Sequence, residues 1–381
     1  MKISKVDVLK VKVPLKYRIV GWQSVLPSQY MKEVPNYALH TIVRITLDDG
    51  SQGLGESASN TPDYDELLIN NYIAPRLKGE GAFNIEKIVE KMETVVASGA
   101  SIFVGGWTGY PAIAAVETAL YDVVAKALST PIYNMIGGKY RETIPITWVI
   151  GIKSIKDSVN EAINATRAGF KEVKIKADVN DYENAARVKA IREAIGDKVR
   201  IRVDANGQWE PKQAVRIIKS MERFGLDCVE QPVRGITGLA EVARCVDTPV
   251  MADESLQTPG DAFRLLHENA AQVFNVYIMK SGFVGSKKIL GIAAAQGIPA
   301  MLGSNLELGI GTSASAHLAV SSAGISLPCD LIGTMHHSDD VTSPKLEVSN
   351  GELMVPEGAG LGLRLDLKKL RKYTMPDQAT R

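Results

Sequence analysis

The chain has 381 residues, 45% of them hydrophobic and 23% charged, with a net charge near +1. This is the balance of a globular protein with one large or two ordinary domains, and it argues against nucleic acid or an anionic membrane as the main partner. The three cysteines, Cys228, Cys245 and Cys329, form no CxxC pair, which argues against a disulfide framework or structural zinc and points to a reducing cytoplasm. The amino-terminal stretch MKISKVDVLKVKVPL alternates charge and apolar residues, and no run of 18 uncharged apolar residues follows, so neither a signal peptide nor a membrane span is expected.

Residues 6–13 (VDVLKVKV) and 39–47 alternate apolar and polar side chains, the pattern of half-buried strands. Between them lies 14–35, rich in Tyr, Trp, Gln and Ser, an irregular segment of the kind that usually carries function. From 63 to 127 the period becomes helical, most clearly over 112–126, and Pro131 with Gly137 and Gly138 stops it. The first 130 residues therefore read as an α+β unit.

After Pro145 short β-rich runs alternate with helical ones. Runs at 146–151, 172–176, 199–204, 228–231, 250–253, 273–280 and 300–303 precede helices at 155–168, 182–195, 211–224, 237–244, 259–268, 285–296 and 310–322. CDLIG (329–333) closes the series. Such alternation implies parallel strands, and eight units imply an α/β fold of (β/α)8 type lacking its last helix, a (β/α)7β barrel. The tail PEGAGLGLRLD is a loop, because no strand and helix frame its glycines as a nucleotide site requires.

Catalytic groups in such a barrel sit at the carboxyl ends of strands. Strand two ends in Lys174-Ile175-Lys176, strand three in Asp204-Ala205-Asn206, strand four in Glu230-Gln231-Pro232 and strand five in Asp253-Glu254-Ser255. Asp204, Glu230 and Asp253 are each one repeat apart, so three carboxylates converge and would repel unless a cation lay between them. Oxygen-only ligands select a hard ion, Mg2+ or Mn2+. The competing reading, acidic caps on the next helices, fits one such residue better than three in successive repeats. Lys174 and Lys176 share a strand face, and each ammonium should lower the other's pKa, as a general base near neutral pH requires.

Together these motifs resemble the enolase superfamily, in the muconate lactonizing enzyme branch of the mandelate racemase and muconate cycloisomerase group, over nearly the whole chain. The resemblance implies a capping domain over 1–130 with a lid at 14–35, a barrel over 131–343 and a segment 344–381 that returns to the capping domain. It implies that Lys176 abstracts the proton α to a carboxylate, that Lys174 orients it, and that Asn206 and Glu254 stand beside the metal ligands. It also implies a small-molecule carboxylate substrate and a homo-oligomer. One departure is informative. The family usually carries K-x-x-K-x-G-G on strand six, whereas this chain has Tyr277-Ile278-Met279-Lys280-Ser281-Gly282-Phe283. Tyr277 thus stands where the family has its second base, and Lys280 matches the other lysine. Trp22, Tyr30 and Glu307 are candidate substrate contacts. His317 reads as a packed helix residue, and adjacent His336 and His337 do not suit one metal ion.

The expectation is therefore single-base chemistry, a β-elimination of a hydroxy acid or hydroxy amino acid, or a cycloisomerisation. A racemase or epimerase of an amino-acid derivative, with Tyr277 or Lys280 as second base, is the enzymatic alternative. An inactive barrel serving as a binding protein is the alternative of another class.

Overall fold

The computed structural model describes residues 1–16, 19, 36–96, 109–177 and 181–376. Long alternating strands β1 (Ile3–Pro14) and β2 (Tyr37–Leu47) pair antiparallel, and β3 (Gln52–Ser57) completes the sheet. Helix α1 (Pro62–Leu68), entered through Pro62, runs through a π-turn at Ile69–Ile73 into α2 (Ala74–Leu77). Helices α3 (Ile85–Val95) and α4 (Tyr110–Ala127) follow. Helix α4 is apolar nearly all round because it is packed on both sides, against β3 and against a barrel helix. Gly53 and Gly55 permit the first contact: a Cβ at either would collide with the α4 backbone at Ala119 or Ala115.

After α5 (Ile132–Met135) and β4 (Thr143–Pro145) the parallel unit begins. Its strands are β5 (Trp148–Ile150), β6 (Glu172–Lys176), β7 (Arg200–Asp204), β8 (Cys228–Glu230), β9 (Val250–Ala252), β10 (Val273–Val276) and β11 (Ala300–Leu302). They are hydrogen-bonded in chain order into one seven-stranded sheet. The crossovers are α6 (Ile155–Arg167), α7 (Asp181–Ile195), α8 (Pro211–Glu222), α9 (Ile236–Ala243), α10 (Pro259–His267), α11 (Ile278–Ala295) and α12 (Gly309–Ser321). Local signals set several starts: Ser154 caps α6 by accepting the Asp157 N–H, and Thr258 with Asp261 forms a capping box on α10.

Two details depart from expectation. The eighth strand is no ladder. Cys329 bridges to Ile146, donating to the Pro145 carbonyl and accepting from the Thr147 N–H, and on the other side Ile325 bridges to Ala300 and the Asp330 N–H donates to the Leu302 carbonyl, so isolated bridges link the two edges of the sheet. A short helix α13 (Gly333–His336) follows in place of an eighth crossover. The run 273–280 is also not all strand: β10 stops at Val276 and helix begins at Ile278, so Tyr277 sits at the junction and Lys280 in the first helical turn.

The tail forms β12 (Thr342–Ser343), β13 (Val348–Ser349), β14 (Glu352–Met354) and β15 (Arg364–Leu365), then α14 (Leu367–Tyr373). The PEGAGLGLRLD segment is a loop ending in β15. Thr374 bridges to Val11 on β1. One apolar core fills the barrel and its helices, and a second lies between β2 and helices α1 to α4. No helix among the described residues is long and apolar enough to cross a membrane.

Candidate active site

Register places the motif residues on one level. Lys176 pairs with Asp204, and Asp204 with Glu230. Each strand end then turns sharply. Asn206 adopts a left-handed conformation that asparagine tolerates, accepted by the chain because its N–H donates to Asp204 and its side-chain amide to Glu254 at 3.0 Å. Gln231 ties two strands together: its Oε1 accepts the N–H groups of Asp253 and Ser255, and its Nε2 donates to the Ser255 hydroxyl at 2.7 Å. The E-Q-P and D-E-S motifs are thus a single braced structure.

The Lys176 ammonium lies at the mouth, 2.6 Å from Asp204 Oδ2 and 2.9 Å from Asn206 Oδ1. Lys174 is buried beneath it, 2.9 Å from both Asp204 and Glu230 and 3.0 Å from Asp330. This corrects the expected depression of the Lys174 pKa. Burial pulls it down, but Asp204, Asp330 and Glu230 outweigh burial and hold it well above the ordinary lysine value. Two further groups escaped the sequence reading. Arg202, wholly buried, donates to Glu230 Oε2 at 2.6 Å and pairs with Asp330. The signals existed: Arg202 is two residues before Asp204 and so shares its face, and Asp330 ends the eighth strand.

Across the cavity, the Tyr277 hydroxyl donates to Asp253 Oδ2 at 2.9 Å. Burial, reinforced by Asp253 and Glu230, pushes its pKa well above the usual phenol value, which keeps the hydroxyl protonated for that hydrogen bond. Lys280 donates to Asp253 Oδ1 at 2.8 Å and to the Asp253 carbonyl at 2.7 Å, with its ammonium over the Tyr277 ring. Burial would raise the Asp253 pKa, but Lys280 and Lys174 hold it below the usual carboxylate range. Gly303 is required here, because a Cβ would overlap the Tyr277 ring.

These groups line a cavity of about 590 Å³ with Ser59, Asn60 and Thr61 of the amino-terminal unit, and with Met279, Leu306 and Ile332. The turn-rich 58–61 loop was not anticipated. Glu307 does not reach the cavity: it is buried behind the wall, accepting from the Asn305 N–H and the Ser304 hydroxyl of its own loop. Trp22 and Tyr30 lie outside the described residues. His336 and His337 diverge, His336 toward Trp148 and His337 into a buried contact with His40, Nε2 to Nε2 at 3.2 Å. His317 is packed against Tyr133. Beside His40, Glu56 of β3 accepts the N–H groups of Leu308 and Gly311 at the start of α12. Burial pushes Glu56 up to about 7 and His40 down to about 4.

The donor set fits a hard divalent cation. Among the described residues no three acidic or histidine groups converge on one point; ammonium groups stand between them. Yet the five carboxyl groups of Asp204, Glu230, Asp253, Glu254 and Asp330 stand with four cations, Lys174, Lys176, Arg202 and Lys280; Glu254 pairs with none of them, and its Oε2 is buried without a hydrogen-bond partner. Burial, with Asp253 and Asp204 beside it, pushes the Glu254 carboxyl up to about 8, and this excess of oxygen donors is what a cation would satisfy, in exchange for ammonium contacts.

The chain matches two family descriptions, "Mandelate racemase / muconate lactonizing enzyme, N-terminal domain" over residues 14–137 and "Enolase C-terminal domain-like" over 157–369. It is 34% identical to L-Ala-D/L-Glu epimerase of Bacillus subtilis (strain 168), covering 95% of this chain and 97% of that protein. It is 30% identical to muconate cycloisomerase 1 of Rhodococcus opacus, covering 87% and 90%. The muconate lactonizing enzyme structure from Pseudomonas putida superposes with a TM-score of 0.87 at 25% identity, over 98% of this chain and all of that one. With both family descriptions spanning the chain and its relatives being named enzymes, the binding-protein alternative falls away: this chain belongs to the enolase superfamily, in its muconate lactonizing enzyme branch, and is an enzyme.

Proposed function

We propose that this enzyme removes the proton α to a substrate carboxylate with Lys176 as its one base, and completes a β-elimination of a hydroxy acid or hydroxy amino acid, or a cycloisomerisation. The observation that carries this reading is the asymmetry of the mouth. Lys176 reaches the cavity from β6 part-exposed, with only the Asp204 and Asn206 side chains as acceptors, whereas opposite it Lys280 is buried among Asp253 Oδ1 and the Asp253 and Asn275 carbonyls, and Tyr277 donates to Asp253. Asp204, Glu230 and Asp253 would hold Mg2+, or Mn2+ in its place, with Asn206 and Glu254 beside them. When bound, the ion supplies positive charge to the substrate carboxylate as it becomes an enolate.

Lys176 in its neutral form takes the proton from the α-carbon, and the C–H electron pair passes into the carboxylate as an enolate. In elimination that pair returns to form the α,β double bond as the β C–O bond breaks. The Lys176 ammonium then gives its proton to the departing oxygen, so water leaves from the same face and the base is regenerated. In cycloisomerisation the same ammonium and enolate form part of a ring-forming addition run in either direction. Lys174 holds Asp204 and Glu230 in place beneath.

A racemase or epimerase is the second reading, favoured by the likeness to the Bacillus subtilis epimerase. It needs a proton donor on the opposite face, where Tyr277 and Lys280 stand. Proton NMR in D2O with Mg2+, over a panel of hydroxy acids, hydroxy amino acids and betaines in both enantiomers, decides between them. Exchange or elimination should come from one enantiomer and be lost in Lys176→Ala, by about 10⁴-fold at the upper end for a general base. Comparable exchange from both enantiomers, with Lys280→Ala silencing only one, would overturn the single-base reading.

A further inference from the structure

Helix α11 is broken four residues after it begins. Gly282 has φ 60° and ψ −170°, which separates the turn carrying Lys280 from the rest of the helix. Such a break leaves the next N–H groups without intrahelical carbonyls. Their acceptor comes from the other core. Glu117 of α4, fully buried, accepts the Val284 N–H at 2.8 Å and is also bonded by the Phe283 N–H. Its second oxygen has no hydrogen-bond partner and occupies the space that a side chain at Gly282 would need. One turn along α4, Tyr121 lies against the Phe283 ring at 4.7 Å. The break, the absent side chain and the carboxyl group therefore form one joint.

We propose that Glu117 is a positioning residue: it fixes the break at Gly282 and, through it, the turn that presents Tyr277 and Lys280 to Asp253. The inference rests on the reading of that wall as part of the active site. The path is short. Ser281, next to Gly282, donates its hydroxyl to the Gln257 carbonyl, and the Ser281 and Lys280 N–H groups both reach the Tyr277 carbonyl. A shift of the joint thus moves the phenol and the ammonium together. The amino-terminal unit contributes to the far wall of the cavity without touching substrate there. Burial pushes the Glu117 carboxyl up to about 8, so it works as a neutral acceptor at neutral pH, which a glutamine can imitate.

The test compares Glu117→Ala with Glu117→Gln by two readouts that need no substrate: hydrogen exchange at Phe283 and Val284, and the ¹³Cζ resonance of Tyr277 in labelled protein. They separate a failure here from a failure of the elimination chemistry. Glu117→Ala should speed Val284 exchange about 10-fold, the effect of one lost hydrogen bond, and displace the Tyr277 resonance. Glu117→Gln should keep both near wild type. If Glu117→Ala does not fold, Glu117→Asp, whose shorter arm withdraws the acceptor without emptying the site, takes its place with the same expectations. An unmoved Tyr277 resonance in the alanine or aspartate variant, or a glutamine variant as perturbed as alanine, would overturn the proposal.

Discussion

The two walls of the barrel mouth carry the same kind of side chain and put it to different uses. On the β6–β7 wall, Lys176 reaches the cavity with 17% of its side chain exposed, while Lys174 is buried among three carboxylates. On the β10–β11 wall, Lys280 is buried against Asp253 and the Tyr277 ring covers the position above Gly303. A lysine's identity does not decide its work; the number of acceptors around its nitrogen does. A lysine held by a carboxylate and a backbone carbonyl braces that carboxylate, whereas one at the cavity surface is placed, in its neutral form, to take a substrate proton.

The largest expected effect comes from removing what the first wall is built on. Asp204→Asn takes an anionic partner from both Lys174 and Lys176, and a metal ligand in the proposed chemistry. Turnover should fall by about 10³-fold or more, with Mg2+ affinity weakened in a calorimetric titration. Wild-type turnover in this variant, or undiminished activity in excess EDTA, would remove the first wall's special status. On the second wall the effect should be smaller. Tyr277→Phe deletes one hydrogen bond to Asp253 while keeping the ring over Gly303, so α-proton exchange should slow about 10-fold and persist. Complete loss would mean that the phenol moves a proton, and the walls would be equivalent after all.

The smallest effect concerns what backs the second wall. Glu56 caps α12, beyond the loop that lines the cavity, and lies beside His40. Glu56, raised from 4.5 to about 7, holds its proton more tightly when folded, so its contribution to stability is lost as pH rises from 4.5 to 7. His40, lowered from 6.5 to about 4, contributes stability above 6.5 that is lost as pH falls to 4. The two slopes oppose each other between pH 4.5 and 6.5. Glu56→Gln removes one, so thermal unfolding should become more acid-sensitive there, by up to about 1.4 kcal/mol per pH unit. An unchanged pH profile would show that the pair does not titrate as their burial implies.

Much of this was legible in the chain. Six of the seven barrel helices were placed within about two residues, helped by marked starts such as Ser154 or Thr258, whereas α11 begins seven residues before its expected start. Strand-end motifs were legible because β-strands have a fixed period and parallel register puts Lys176, Asp204 and Glu230 level. Three things were not. The stop of β10 at Val276 was hidden because Tyr277, Ile278 and Met279 continue an apolar run, and the break at Gly282 because its partner, Glu117, lies on α4 far away in sequence. The raised Lys174 pKa depends on Asp330, more than 150 residues away in sequence at 3.0 Å in space. The Glu56, His40 and His337 contacts join segments whose nearness no local pattern encodes.

The single bridge at Cys329 also bears on how the chain comes off the ribosome. Seven strands can pair in the order they are made, but the sheet's edges meet only when Cys329 and Asp330 arrive, and the tail reaches β1 only with Thr374. Arg202 and Lys174 lack Asp330, their shared counter-ion, until the same moment. Until then Lys174 keeps Asp204 and Glu230, and Arg202 keeps Glu172 and Glu230, so one segment late in the chain both closes the sheet and supplies the last acid of its lining.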